Sequence, residues 1–228
     1  MNVNPDSAIS ALNSYFTTAA DCQWLQHGYF SYQLNGKATD IIEPWRTGRT
    51  AAGAQLIQSL RSSQQYQLLL SADWQQLGPQ QNCELCYQQG GTAPAKASYL
   101  ITETTWYCRQ ANQEWHGTVG PNWHFFPLLR IFSGAMLQAL VKAPSELLLP
   151  DIEIGTAAAN KLQPKLDQRQ SFRMTDQVNN RQHFGMRGGH YKEQNAAFTL
   201  NDHGVLMAYH WQQDAEHLWQ INNHILPG

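Results

Sequence analysis

The sequence predicts an α+β fold in which a mainly antiparallel β-sheet packs with one or two short helices. Three observations lead there. Helical spacing of apolar residues is confined to a few stretches. Most other apolar segments are short, alternating or continuous, and are bounded by turn residues. The last thirty-odd residues read as a meander of hairpins whose two faces are both apolar.

Taken in order, Asp6 or Ser7 caps a first helix that runs to about Thr18, with Ile9, Leu12 and Phe16 on one face. Gly28–Leu34 alternates as a strand, with Tyr29 set apart from Phe30 and Tyr32. From Thr50 to about Arg61, the stripe Leu56, Ile57 and Leu60 predicts a second short helix capped by Thr50. Tyr66–Ala72 contains Leu68-Leu69-Leu70, the pattern of a strand covered on both faces. Cys83–Gln88 and Ser98–Cys108 flank the Gly90–Pro94 turn region as a hairpin.

Further along, Leu129, Phe132, Met136 and Leu140 fit a helix broken near Ser133-Gly134, and Leu147–Leu149 a strand ending at Pro150. Periodicity fades from Gly155 to Asn195, where a lid or an irregular extended strand pair is expected. The closing meander runs through Ala196–Leu200, a turn at Asn201–Gly204, Val205–Trp211, a second turn at Gln212–Glu216, and Leu218–Ile221. Pairing Leu200 with Val205 sets Phe198 opposite Met207 and Ala196 opposite Tyr209. Pairing His210 with Trp219 gives the other face Leu206, Ala208, His210, Trp219 and Ile221.

Composition narrows the function. With 228 residues and no Gly, Ser or Pro linker, one domain over 1–228 is the economical reading. Hydrophobic residues at 42% and aromatics at 11% exclude a disordered chain. No apolar run reaches about 18 residues, so no membrane-spanning helix is expected. Fifteen basic against seventeen acidic residues leave no basic excess for a nucleic acid. Charged residues are only 14%, against about 25% in ordinary domains. Gln and Asn fill the polar quota. Met1–Asp6 has neither a basic nor an apolar signal region, so the cytoplasm is the default location, or the periplasm if a leader has been removed.

No motif declares a reaction. Cys83-Glu-Leu-Cys86 lies in a strand-like segment rather than at a helix start, so quiet thiols are expected there, with no metal and no cofactor. His203, His210, His217 and His224 recur every seven residues, a step that alternates faces on strands and cannot converge on one ion. Gly185-x-x-Gly188-Gly189-His190 lacks the helix that would follow a phosphate loop. Arg130 stands out in Phe125-Phe-Pro-Leu-Leu-Arg130-Ile-Phe132, since a buried guanidinium is costly unless paired. It either meets an acid such as Asp151 or Glu103 or anchors a carboxylate or phosphate head group at the mouth of an apolar pocket.

Phe126-Pro-Leu-Leu-Arg130, the Pro144-to-Ile152 segment and Tyr191 through Trp211, with its Asp202-x-Gly204 turn, resemble uncharacterised bacterial families described as glycolipid-binding. The fold of those families is similar to that of the periplasmic lipoprotein carriers. The N-terminal third departs from the pattern, with an added helix and the CxxC. The resemblance implies a strongly curved sheet, an open half-barrel enclosing the helices, and a hydrophobic ligand.

The expected function is therefore binding of a hydrophobic or amphipathic small ligand, lipid- or glycolipid-like, with Arg130, His210, Trp219, Leu206, Trp106 and His190 as candidate ligand-binding residues. Each buried CH₂ would contribute about 0.8 kcal/mol. A small-molecule enzyme using Arg130, Asp151 and His190 is the alternative. So is an interaction module whose apolar sheet face meets a partner or a second copy in a homodimer.

Overall fold

The structure is a computed structural model that describes residues 5–17, 21–141, 145–153, 160–174, 181–191 and 195–227. A helix α1 (Pro5–Tyr15) precedes eight strands: β1 (Cys22–Leu34), β2 (Lys37–Thr50), β3 (Gln55–Ser63), β4 (Leu68–Leu77), β5 (Gln80–Gln89), β6 (Ala95–Ile101), β7 (Thr105–Gln110) and β8 (Gln113–Thr118). A short β9 (Trp123–Phe125), a 3-10 turn (Arg130–Phe132) and helix α2 (Ser133–Leu140) follow. The chain ends with β10 (Ser145–Pro150), β11 (Pro164–Arg173), β12 (Gln182–Arg187), β13 (Ala196–Leu200), β14 (Leu206–Gln212) and β15 (Leu218–Ile225). Among the described residues no helix is long and apolar enough to cross a membrane, a statement that does not extend to strands.

All these strands form one curved, unclosed sheet in the order 8-7-6-5-4-3-2-1-15-14-13-12-11-10-9. Two meanders are joined where the first strand pairs antiparallel with the last, from Gly28 opposite Ile225 to Leu34 opposite Trp219. Among the described residues every pairing is antiparallel except that of β10 with β9. The two free edges, β8 and β9, are consecutive in sequence and separated by residues 119–122. The expected open half-barrel is the fold observed.

The two helices sit on opposite faces of the sheet. Helix α2 lies inside the curve. Phe132, just before it, meets Trp74 of β4 edge to face with centroids 6.0 Å apart, while the Leu137 carbonyl accepts a bond from Ser171 of β11. Only an element within the concavity can touch strands so far apart in the sheet. Phe132, Met136, Leu137 and Leu140 join the main core with inward residues such as Phe30, Trp45, Tyr99, Phe184 and Phe198. Helix α1 packs on the outside, where Leu12 and Phe16 form a separate cluster with Leu60 and Leu69. That explains the Leu68-Leu69-Leu70 run. Leu70 belongs to the inner core and Leu69 is covered by α1, so both faces of β4 are shielded.

Three expectations need correction. Thr50–Arg61 is not a helix. Thr50 ends β2, Gly53 turns the chain at φ +85°, and Gln55–Ser63 is β3. The strand is buried inside at Ser59 and outside at Leu56, Gln58 and Leu60, so its apolar residues follow two covered faces rather than one helical stripe. Ser98–Cys108 is two strands, broken at 102–104 by a turn that the Thr102 hydroxyl closes through the amides of Thr104 and Thr105. In the closing meander Trp211, not His210, pairs with Trp219, and Phe198 pairs with Tyr209. A bulge at Thr199/Leu200 brings Leu200 opposite Leu206. The inner face is thus Phe198, Leu200, Leu206, Tyr209, Trp211, Trp219 and Ile221, and His210 turns outward. The Gly155–Asn195 stretch carries the strand pair β11–β12, while 154–159, 175–180 and 192–194 lie outside the described residues.

Candidate functional site

Alternation on β2 sends Ile41, Glu43 and Trp45 inward. Glu43 is therefore a carboxylate in an apolar interior with 0% of its surface exposed. Such a charge persists only with several donors. Tyr32 Oη on neighbouring β1 donates to Oε2 at 2.5 Å, and Arg61 Nε on β3 donates to the same oxygen at 2.7 Å. The backbone N–H of Arg130 donates to Oε1. Arg61 Nη2 also donates to the Leu128 carbonyl at 2.8 Å. Glu43 and Arg61 thereby clamp the Leu128–Arg130 segment to the sheet. The clamp holds Leu128 at φ +67°, a left-handed conformation that costs a side-chain-bearing residue about 1–2 kcal/mol.

The clamp also fixes the Arg130 side chain. Its guanidinium lies over the Tyr209 ring, 4.5 Å from the centroid. Its Nε is buried without a hydrogen-bond partner, and among the described residues the group makes no ion pair. Burial works against its charge, but the groups around it, the Glu43 carboxylate among them, raise its pKa on balance, so it stays a cation. Tyr209 Oη donates to Tyr191 Oη at 3.1 Å. Burial pushes the Tyr209 phenol well above its ordinary pKa, so it serves as a neutral donor rather than a base.

Tyr191 is positioned by the glycine run. Gly188, at φ +95°, and Tyr191 exchange two backbone bonds of 3.1 and 3.0 Å, closing a tight turn. A Cβ on Gly189 would lie 2.5 Å from the Asp167 carboxylate and 2.9 Å from Arg169 Nε. Glycine there lets the turn lie directly on the Arg169–Asp167 pair, itself 2.9 Å long. The Arg169 guanidinium in turn sits 5.3 Å from the Tyr191 ring centroid.

Of these groups Arg61, Arg130, Tyr191, Asp167 and Arg169 border one pocket of about 210 Å³ between the Phe126–Arg130 segment and the β10–β14 side of the sheet. Phe126, Leu128, Leu149, Ile152 and Trp211 supply apolar walls, and Arg130, Tyr191 and Arg169 supply polar ones. His190 and Glu153 stand at the rim, 67% and 44% exposed, with His190 Nε2 3.3 Å from Glu153 Oε1. Lys165 also bonds Glu153 and holds that carboxyl below its ordinary pKa.

The structure brings Arg130, Asp151 and His190 to this pocket. The acids considered as partners for Arg130 are not its partners. Glu43 is the carboxylate beside it, and only the Arg130 main chain bonds it. Leu206 is buried at 0% exposure, and its carbonyl accepts from Asn223 Nδ2 at 2.8 Å. Trp106 is buried in the core far along the first meander, against Gly117, where a Cβ would fall 2.8 Å from its ring. Trp219 is half-buried and donates to Gln213 at 3.0 Å, while His210 is exposed on the outer face. Sequence reasoning missed Glu43, Arg61, Tyr191, Tyr209 and Trp211. The one signal for Glu43 was an acid flanked by Ile41-Ile42 and Pro44-Trp45.

Two other chemical candidates separate. Cys83 and Cys86 fall on opposite faces of β5, the first in the inner core and the second beside Tyr15, so they share neither a bridge nor a ligand. Burial raises the Cys83 thiol well above its ordinary pKa and pushes Cys108 up to about 11, which leaves little thiolate.

No protein-family model matches the chain, and no curated protein matches it. Among solved structures, the chain is similar to a β-barrel-like protein of a domain of unknown function, DUF1849, from Brucella abortus. The TM-score is 0.50 at 5% identity over 88% of this chain and 95% of the other. The likeness is one of fold. A curved, barrel-like sheet is common to both, and nothing in it speaks for a glycolipid.

Proposed function

We propose that the protein binds a small amphipathic or hydrophobic ligand in the pocket beside Arg130. The observation that carries this reading is a half-buried cation resting on an aromatic ring, with a buried and unpaired Nε, under walls made by Phe126, Leu128, Leu149 and Trp211. A site that mixes apolar walls with a few convergent polar groups is the usual form of a small-molecule pocket.

Volume limits the guest. A dry cavity of about 150 Å³ takes a benzene ring, so roughly eight non-hydrogen atoms fit here. A complete two-chain lipid would leave most of its chains outside. The rest of the concavity offers little more room beside α2. Leu129, Leu137, Leu140, Leu147, Leu148, Phe198 and Leu200 have 0% exposure, so no water-sized void borders them.

The test is thermal unfolding of the protein with straight-chain amphiphiles of four to twelve carbons. A ligand at one hundred times its Kd adds about 2.7 kcal/mol to stability. The midpoint should rise with chain length and level off near six to eight carbons. Trp211→Ala should abolish the rise while the unliganded variant stays folded. No shift with any chain length would contradict the proposal. Because Asp151 and His190 border the same pocket, acid–base chemistry on the guest is the second reading, and it requires that a bound amphiphile be converted to a new mass over time.

A further inference from the structure

We propose that β8, the open edge of the first meander, pairs antiparallel with β8 of a second copy of this chain, about a two-fold axis beside Trp115. The contact lies away from the pocket and does not depend on it. Hairpin geometry identifies the free groups. Gln110 and Gln113 pair across a two-residue turn, so their main chains exchange both hydrogen bonds. Alternation then points the N–H and C=O of Gln113, Trp115 and Gly117 at β7. Those of Glu114, His116 and Thr118 point off the sheet, and among the described residues none of them has a hydrogen-bond partner. An edge of this kind takes up another strand unless something blunts it. The opposite edge is blunted, since β9 has three residues and Pro127 follows closely. In contrast, β8 has six residues, no Pro, no Lys and no register shift against β7. Its acid, Glu114, is neutralised by Arg109 of the same chain, so the edge does not repel a copy of itself.

Side chains select the partner and the register. An axis beside Trp115 sets Glu114 opposite the partner's His116, and the symmetry repeats the pair. Each imidazole N–H can then donate to a carboxylate, at positions whose main chains also exchange both bonds. Half-buried Trp115 meets the partner's Trp115 at a non-hydrogen-bonded position, where side chains come closest and aromatic pairs are favourable. An axis at His116 would instead set two imidazoles together. It would also aim Trp115 at the partner's Gly117, and in this chain the Trp106 ring already covers the inner side of that glycine. A single strand pair is smaller than a standard interface, so the dimer is weak.

Sedimentation equilibrium of the full chain from about 10 μM to about 1 mM, where small interfaces associate, tests this. The average mass should climb towards that of a dimer over the range. His116→Pro removes an outward N–H and spares the β7 ladder, so it should give a folded monomer at every concentration. Glu114→Arg loses the symmetric pair twice and should weaken association about tenfold. Adding His116→Glu to Glu114→Arg restores the pair with its signs exchanged and should recover the association, a comparison that holds even if the proline variant unfolds. A wild-type chain that stays monomeric throughout would overturn the proposal. A dimer that survives both single substitutions would overturn it by placing the contact elsewhere. A double variant as weak as Glu114→Arg alone would overturn the register.

Discussion

Glu43 is the residue on which the interior depends. It has no exposed surface, and Tyr32, Arg61 and the Arg130 main chain all donate to it. Replacing it with Gln leaves Arg61 and Arg130 as half-buried cations without their fully buried negative neighbour, a change that costs about 3 kcal/mol. Urea unfolding of Glu43→Gln should show that loss, whereas Glu114→Gln, in an exposed pair with Arg109, should cost under about 1 kcal/mol. A second residue sets a pH dependence. Burial pushes the His124 imidazole from its ordinary 6.5 down to about 4. Between those values the unfolded chain binds a proton that the folded chain does not, so this group's share of stability is present above 6.5 and is lost on acidification towards about 4. His124→Asn should flatten the fall of the urea midpoint over that window, and an unchanged slope would contradict a desolvated neutral ring. At this scale Arg130 was legible because a charge in an apolar run is conspicuous whatever the secondary structure. Glu43 was hidden. Ile41-Ile42-Glu43-Pro44-Trp45-Arg46 reveals an inward acid only when the strand is known to send Glu43 inside and Arg46 outside.

Between elements, close approach and satisfied polar groups decide the docking. A Cβ on Gly134 would come within 1.8 Å of the Gly204 carbonyl oxygen, so the start of α2 packs against the β13–β14 turn through bare backbone. Gly134→Ala should cost about 3 kcal/mol or more, at the upper end of overpacking, because backbone cannot move aside as a side chain can. Asn223 on β15 accepts from Trp45 Nε1 at 3.0 Å and donates to the Leu206 carbonyl at 2.8 Å, tying three strands together. Asn223→Ala strands two buried polar groups and should cost about 2–4 kcal/mol by urea titration. The elements that were legible had a single covered face or clear turn chemistry, such as Asn201–Gly204, where Asn201 Oδ1 accepts from the amides of His203 and Val205. The β3 segment misled because α1 covers its outer face, so its apolar residues fall on both sides and mimic helical spacing. The β14–β15 register slipped by one residue. Both faces there carry apolar side chains, and the hydrophobic pattern therefore does not fix which is inside.

For the molecule as a whole, the pairing of β1 with β15 joins two sequential meanders into one sheet, and the segment from Phe125 to Leu140 fills the space they enclose. The curvature was foreseen only through a resemblance. Strand order was not foreseen, because the pairing of the two chain-end strands leaves no local signature. What the filled concavity leaves is a small pocket at one side, where Arg130 waits beneath apolar walls. The most direct measurement is a crystal structure of the protein grown with saturating hexanoate. It should place hexanoate in this pocket, with its polar end beside the Arg130 guanidinium and its tail against Leu128 and Leu149. Hexanoate bound elsewhere, or a pocket left to water at saturation, would contradict the account.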